Sequence, residues 1–304
     1  MIRSEWLEAF IAFAEELSFT RAAARLHISQ PAFYVQIQRL GEAVGATLYE
    51  RRGRNLVLAP QGRDLLAFAR DARDRDETFR ARLGGLPGRS LIVLAAGEGV
   101  LLYVLGKPLR QAAAPNGGGA RLRILTRDRE RTLAALAAGE AHLGVAAMEV
   151  VGDGLHATRV HRAGMKLVLP AGHRLARRRR LRLTDLAGER LIVPPAGSRH
   201  REMLGRALGA AGVSWEIALE ATGWPVMLDY ARLGVGLAVV NDICPAPRGT
   251  VARPLPDLPA IDYHVMHRAG AALSPEAERL RALIKDAFAG LARGGDGARR
   301  AAAA

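Results

Sequence analysis

SFTRAAARLHISQPAFYVQIQRL, residues 18–40, decides how the N-terminal part of this chain folds. Ser18 and Thr20 offer hydroxyls to the orphan N–H groups of a short alanine-rich helix that runs to Leu26. Ser29 then caps a second helix. Pro31 sits in its first turn, where the missing N–H costs nothing. The apolar residues of this second helix, Phe33, Ile37, Leu40 and Val44, recur at helical spacing and form one stripe. Only His27 and Ile28 separate the two helices, and each is too short and too narrowly apolar to stand alone, so the pair is a helix-turn-helix.

Outward from this pair, Trp6, Phe10, Phe13 and Leu17 place large apolar groups on one face of a preceding helix. Residues 48–58 read as two short strands around a glycine turn, which makes a wing. From Gln61 to Leu86, Leu65, Ala69, Ala72, Phe79 and Leu83 follow alternating spacings of four and three, with Asp76 filling one slot. That pattern predicts a long helix that pairs with a copy of itself. Gly84-Gly85-Leu86-Pro87-Gly88 reads as a hinge. Beyond Ser90, short apolar runs at 91–95, 122–125, 143–147, 166–170, 191–194 and 237–240 alternate with helical stretches, which predicts mainly parallel sheets covered by helices.

The chain has 304 residues, 49% of them hydrophobic, enough for two or three packed domains. Its net charge of +14 is spread unevenly. Residues 1–88 hold 13 Arg against 11 Asp and Glu, so local clusters carry more information than the total. No apolar run approaches the roughly 18 residues that a spanning helix needs, and the first residues lack an export signal. The single cysteine, Cys244, cannot close an internal disulfide and is expected to fill core space. These features predict a cytoplasmic protein with no membrane partner.

These residues resemble the LysR-type transcriptional regulators. The N-terminal carriers are Phe13, Ser18-Phe-Thr-Arg-Ala-Ala23, Leu26, Ser29-Gln-Pro-Ala32, Gln36-Ile37, Leu40, Gly45, Leu48, Glu50-Arg51, Leu58 and Gly62. Further along, Gly139-Glu-Ala-His-Leu-Gly144, His173-Arg-Leu-Ala176, Leu183-Thr-Asp-Leu186, Leu191-Ile192 and Leu233-Gly-Val-Gly236 are similar to the family's effector domain. The resemblance implies an α/β protein: a winged helix-turn-helix at 1–60, an oligomerising linker helix at 61–88, and a two-lobed effector domain at 89–304 of the periplasmic-binding-protein type. Lobe one is expected at about 91–163 and 268–292, and lobe two at about 164–267. A dimer or tetramer is implied, with double-stranded operator DNA as partner, a small-molecule effector in the interlobe cleft, and RNA polymerase as a further candidate partner.

On the second helix of the motif, Gln30, Pro31, Tyr34, Val35 and Gln38 lie off the apolar stripe, so they are candidates to face the major groove. Gln30 is the best base reader, because its amide can pair bidentately with adenine. Arg51, Arg52 and Arg54 on the wing, with Arg21, Arg25 and Arg39, form a cluster opposed nearby by only Glu42 and Glu50, and are assigned to phosphates or the minor groove. Tyr34-Val35 and Gly41 depart from the family's usual serine, arginine and glutamate, so the family resemblance does not carry an operator preference over to this chain.

By resemblance the cleft is lined by Gly97, Glu98, Gly99 and Val100, by Thr126, by Ala147 and Met148, by Gly197, Ser198 and Arg199, and by Thr222. Ser198 reads as the N-cap of a helix, so one wall offers hydroxyl and N–H donors opposite the Glu98 carboxylate, an arrangement suited to a polar or zwitterionic ligand. Gly97-Glu98-Gly99 also matches part of a dinucleotide-binding pattern, but its third glycine is missing and Glu98 repels phosphate. Catalysis is poorly supported. Gly197-Ser198-Arg199-His200 does not complete a nucleophile elbow, and the histidines and lone cysteine show no metal-ligand spacing, so neither metal nor cofactor is expected. Two rival readings are a regulator with a vestigial cleft and an α/β enzyme with an accessory DNA-binding arm.

Overall fold

The computed structural model describes residues 2–83, 91–114, 119–148 and 152–301; the predicted hinge at 84–88 lies outside them. The head is built from α1 (Ser4–Glu16), α2 (Phe19–Arg25), α3 (Gln30–Val44), a hairpin of β1 (Tyr49–Arg52) and β2 (Asn55–Leu58), and the long α4 (Pro60–Leu83). Ser18 and Ser29 cap α2 and α3 by accepting from the N–H groups of Arg21 and Ala32. Phe10, Phe13, Phe33, Ile37 and Leu40 form the centre of the head's core. Each such side chain contributes roughly 1.5–3 kcal/mol by leaving water. Leu17 departs from the predicted stripe: it takes the left-handed cap conformation of α1 (φ 45°) and turns to solvent.

Part of the seam predicted on the long helix is used within the chain itself. Leu65 and Ala69 are not free for a second copy; with Leu66 they pack into the head's own core against α1. Farther along the seam, Asp76 and Phe79 are exposed. Gly62 explains how closely α4 meets the hairpin, since a Cβ there would lie 2.0 Å from the Leu48 carbonyl oxygen.

The second half carries two five-stranded sheets. The first holds β3 (Leu91–Ala96), β4 (Arg121–Thr126), β5 (Leu143–Ala147), β6 (Leu155–Ala163) and β12 (Ile261–Arg268), in the order β4-β3-β5-β12-β6. The second holds β7 (Met165–Pro170), β8 (Arg190–Val193), β9 (Glu216–Glu220), β10 (Leu237–Asn241) and β11 (Thr250–Pro254), in the order β11-β7-β10-β8-β9. Inner pairs such as β3–β5 and β8–β10 are parallel, while β12 and β7 run antiparallel to their neighbours, so the sheets are mixed rather than mainly parallel. The reason is the connectivity. A strand that arrives from the other lobe enters its sheet without the helical crossover that enforces parallel pairing.

The chain crosses between lobes at Gly164 and returns between β11 and β12. All of β12 therefore belongs to lobe one, which moves the return crossing earlier than position 268. Lobe one is covered by α5 (Glu98–Tyr103), α6 (Gly106–Ala113), α7 (Arg129–Ala137) and α10 (Pro275–Ala301); α8 (Arg199–Ala210) and α9 (Trp224–Arg232) cover lobe two. One continuous apolar core joins the lobes, from Ile92 and Leu94 through Val168 and Ile192 to Phe288.

The head and lobe one meet along α4. Arg70 donates to the Ala138 carbonyl (2.9 Å), Asp74 pairs with His142 (2.8 Å), and Asp71 pairs with Arg268. Gly139, at φ +63°, lets the α7–β5 turn reach the backbone of Ala67, because a Cβ there would stand 3.0 Å from the Ala67 Cα.

Candidate nucleic-acid interface and effector cleft

The buried stripe of α3 fixes what the helix shows to solvent. With Phe33, Ile37 and Leu40 inside, Gln30, Pro31, Tyr34, Val35, Gln38 and Arg39 all stand exposed. Tyr34 and Val35 are each 44% accessible, adjacent apolar side chains on the solvent face of α3. Tyr34 leans on Phe19 with ring centroids 5.3 Å apart, and its hydroxyl accepts from the Gln38 amide at 2.7 Å. Thr20 on α2 donates to the Gln30 side-chain carbonyl at 3.2 Å. The two glutamines are thus held in place and still present polar edges.

The wing stands next to this surface. Tyr49, at its base, packs against Phe13 and Phe19 and interacts with Tyr34 and Gln38. Burial raises the Tyr49 pKa above the ordinary phenol value. In the turn, Gly53 adopts φ +63°, and Arg51 donates to its carbonyl at 3.2 Å. Arg52 and Arg54 project outward; the Glu50 carboxylate stays 3.9 Å from Arg52.

Arg21 and Arg25 are placed differently. Arg21 pairs with Glu16 (3.0 Å), and Arg25 pairs with Glu15 (2.6 Å) and Glu16 (3.8 Å), both carboxylates on α1. The cluster is therefore opposed by more than Glu42 and Glu50. Linear distance along the chain concealed Glu15 and Glu16, which the packing of α1 on α2 brings alongside.

In the effector half, three helix N-termini come together at the lobe junction. Gly97 precedes α5, Ser198 caps α8 by accepting from Arg201 N–H (3.3 Å), and Gly223, at φ +90°, precedes α9. Glu98 reaches across to lobe two, where its Oε2 lies 2.6 Å from the position a Gly223 Cβ would take. In the other direction, Trp224 covers Gly99, whose Cβ would stand 3.1 Å from the indole Cδ1. His200 meets the same indole edge to face, with centroids 4.8 Å apart, and its Nε2 donates to the Val239 carbonyl at 2.9 Å. Burial lowers the His200 pKa to about 4, so the ring is neutral at pH 7, and its Nδ1 is buried with no protein partner.

Of the residues expected to line the cleft, Thr126, Ala147 and Gly97 sit at the carboxyl ends or exits of β4, β5 and β3, and Gly197, Arg199 and Thr222 are exposed. Val100 and Met148 are not at the surface. Val100 points into the interlobe core, and Met148 packs with Val93, Leu136 and Met266 on the α7 side of lobe one. Gly99 is buried beneath Trp224. Trp224, His200 and Gly223 were missed by sequence reasoning. The available signal was Gly223-Trp224-Pro225, a helix start with proline in its first turn directly after a strand.

A polar network holds the crossing between lobes. The Asp242 carboxylate accepts from Gly164 N–H (3.0 Å) and pairs with His161 Nε2 (3.0 Å), while Asn241 donates to the Tyr263 hydroxyl (2.7 Å). Burial opposes the Asp242 charge, but the His161 and Gly164 hydrogen bonds outweigh it and hold the pKa below the usual carboxylate value. Cys244 is fully buried here, and burial pushes its thiol up to about 12. Among the described residues, no group of three His, Cys, Asp or Glu side chains stands together that could hold a metal ion, and no helix is long and apolar enough to cross a membrane.

A winged helix with an exposed polar recognition helix, followed by a two-lobed α/β domain with its cleft at the strand ends, defines a DNA-binding regulator. The chain belongs to the LysR family of bacterial transcriptional regulators: residues 4–63 match its regulatory helix-turn-helix and residues 89–289 its substrate-binding domain. It is 26% identical to the RuBisCO operon transcriptional regulator of Allochromatium vinosum over 91% of this chain and 94% of that protein. It is 32% identical to a probable hydrogen peroxide-inducible genes activator of Mycobacterium avium over 77% of this chain and 76% of that protein. Among solved structures, a full-length OxyR variant from Pseudomonas aeruginosa has the same fold (TM-score 0.66, 19% identity, 95% of each chain). So does CbnR bound to its target DNA (TM-score 0.56, 20% identity, 94% of this chain and 99% of that one). These relatives are regulators of transcription, which sets the enzyme reading aside.

Proposed function

We propose that this protein is a homo-oligomeric cytoplasmic regulator that reads operator DNA through α3 and adjusts its grip when a polar small molecule enters the interlobe cleft. The observation that carries the first part is the exposed stripe Gln30–Tyr34–Gln38, rigidly mounted on a helix whose opposite face is the head's core. Gln30 and Gln38 present amides to base edges, and Pro31 and Val35 offer apolar contact to thymine methyls. Arg39, Arg51, Arg52 and Arg54 neutralise phosphates, with the wing in the adjacent minor groove.

The cleft reading rests on Glu98 facing the N-termini of α8 and α9 across the lobe boundary. A ligand that carries both an amine and an acid group satisfies the Glu98 carboxylate and the donors near Ser198 together. Its entry displaces the Glu98–Gly223 contact and alters the angle between lobes, and through the oligomer the spacing of the heads. Peroxide, which the Mycobacterium avium relative's name invokes, does not suit this chain. Its one cysteine is buried with a raised pKa, so it supplies no reactive thiolate. Trp224 over Gly99 favours a second reading, in which the cleft is filled by the protein itself and answers to no small molecule.

Selection of bound sequences from a random duplex pool tests the first part. Gln30→Ala is expected to erase the selected consensus, while Arg52→Ala weakens binding to all sequences and lowers the salt slope by about one. Footprints unchanged by both substitutions overturn the assignment. For the cleft, an amino-acid panel scored by thermal shift should yield hits that Glu98→Gln abolishes; a panel without hits favours the second reading.

A further inference from the structure

A cavity of about 320 Å³ lies where α4 meets lobe one, outside the interlobe cleft. It is bounded by Asp71, Asp74, Arg75 and Phe79 of α4, by the start of β3 at Leu91, by the turn from Gly139 to His142, by Arg268, and by the segment from Ala271 into α10. The volume falls within the range of small-ligand sites, roughly 300–1,000 Å³. One wall, Phe79, Leu91, Leu273 and Pro275, is apolar. Phe79 is 58% accessible, so this wall is built from a large apolar side chain that the fold leaves uncovered.

The rest of the lining is largely polar, and its charges are mostly settled. Asp71 is engaged by Arg268 and Asp74 by His142, with the Arg73 guanidinium 4.0 Å away. His142 is fixed as the Nε2–H tautomer, because its Nδ1 accepts from the Val93 N–H at 3.1 Å. Its Nε2 then donates to the Asp74 carboxylate. Arg75 is left as the cation whose carboxylate neighbour Asp71 is already claimed.

We infer that this cavity is a second ligand site, which takes a small monocarboxylate with an apolar body. The carboxylate sits on Arg75, and the body lies against Phe79, Leu91 and Leu273. A guanidinium facing an apolar wall selects for that amphipathic pairing, since a neutral apolar ligand leaves the donors desolvated and unpaired. The site bridges two units. Its walls come from a helix rooted in the head and from lobe one, so an occupant contacts both and strengthens the docked arrangement. The inference stands apart from the interlobe cleft and does not need it to bind anything.

The test uses the full chain and 3-phenylpropionate as probe, titrated by calorimetry beside its neutral amide. Expected is saturable binding of the acid, weakened about tenfold or more by Arg75→Gln and by replacing acid with amide, the scale of one charge-assisted pair. Ala272→Phe, which fills the cavity from an exposed position, is expected to abolish binding, with unchanged circular dichroism as the check on folding. Glu98→Gln should leave the affinity as it is. Absence of binding by the acid, equal binding of acid and amide, or loss of binding in Glu98→Gln with none in Arg75→Gln each overturns the inference. The last outcome relocates the probe to the cleft and leaves the reading of that cleft intact.

Discussion

In the head, the side chains assigned to DNA come from successive turns of one helix, Gln30, Tyr34 and Gln38, and their orientation follows from Phe33, Ile37 and Leu40 being buried on the other side. The cleft is assembled the opposite way. Glu98 and Gly99 meet Gly223 and Trp224, more than a hundred residues apart in sequence, only because two lobes close on each other. A local face survives small changes elsewhere in the protein, whereas a long-range junction depends on each backbone approach being kept. The difference also separates rigid presentation, suited to reading a fixed groove, from a contact that a ligand can open.

The largest effect that would break this contrast is expected in the head, at the close approach of α4 to Leu48. Gly62→Val drives a side chain into the Leu48 carbonyl, which a Cβ would already approach to 2.0 Å. The backbone cannot yield without lifting α4 off Leu48 at the start of the hairpin, so a loss of more than about 3 kcal/mol is expected, measured by denaturant unfolding. DNA binding should vanish with it. A variant that keeps wild-type stability would show that the local face does not depend on α4.

At the junction, the next largest effect is set by pH. The His200 pKa is lowered to about 4 in the folded protein, against about 6.5 when unfolded. Between those values the unfolded chain binds a proton that the folded chain refuses, so stability falls as pH drops through that window and levels off below it. The expected loss is on the order of 3 kcal/mol, seen as a falling midpoint in urea melts from pH 7 to 4. His200→Gln, which cannot titrate, should flatten that part of the profile. If the two proteins show the same slope, His200 is not shielded beside Trp224.

These two positions also mark how far the sequence could be read. Gly62 stood among the residues that carried the family resemblance, and the helical periods of α1 and α3 follow from local spacing alone. Leu17 left its stripe because the helix ended on it. The Leu65 and Ala69 period was real, but it could not say whether the stripe packs on the head or on a second copy. His200, Gly223 and Trp224 carry no period at all. Nor do the apolar runs read in the sequence include Ile261–Arg268, and only the path of the chain decides which sheet receives β12.

Gly223→Ala probes the junction more gently. Its φ of +90° is unfavourable for a side chain, and the new Cβ meets the Glu98 carboxylate at 2.6 Å, the mobile end of an exposed residue. Glu98 can swing away, so a cost of about 1–2 kcal/mol is expected, mostly backbone strain. Glu98 is then free of its cross-lobe contact. Tighter binding of any cleft ligand found in the thermal-shift panel would confirm that this contact opposes entry, and unchanged affinity would place the ligand elsewhere.

The smallest effect sharpens the head's side of the comparison. Arg25 sits near α3 and carries a charge suited to a phosphate, yet Glu15 holds it at 2.6 Å and Glu16 at 3.8 Å. Both partners are substantially solvated, so Arg25→Ala should cost only about 0.5 kcal/mol. If the guanidinium serves mainly to brace α2 on α1, operator affinity should change by less than about twofold and the salt slope should stay the same, because no counterion is released at that position. Arg52→Ala, whose carboxylate neighbour stands off at 3.9 Å, should lower the slope by about one. Equal slopes for the two variants would mean that the ion pairs on α1 exchange for phosphate when DNA arrives, and that the reading face extends back onto α2.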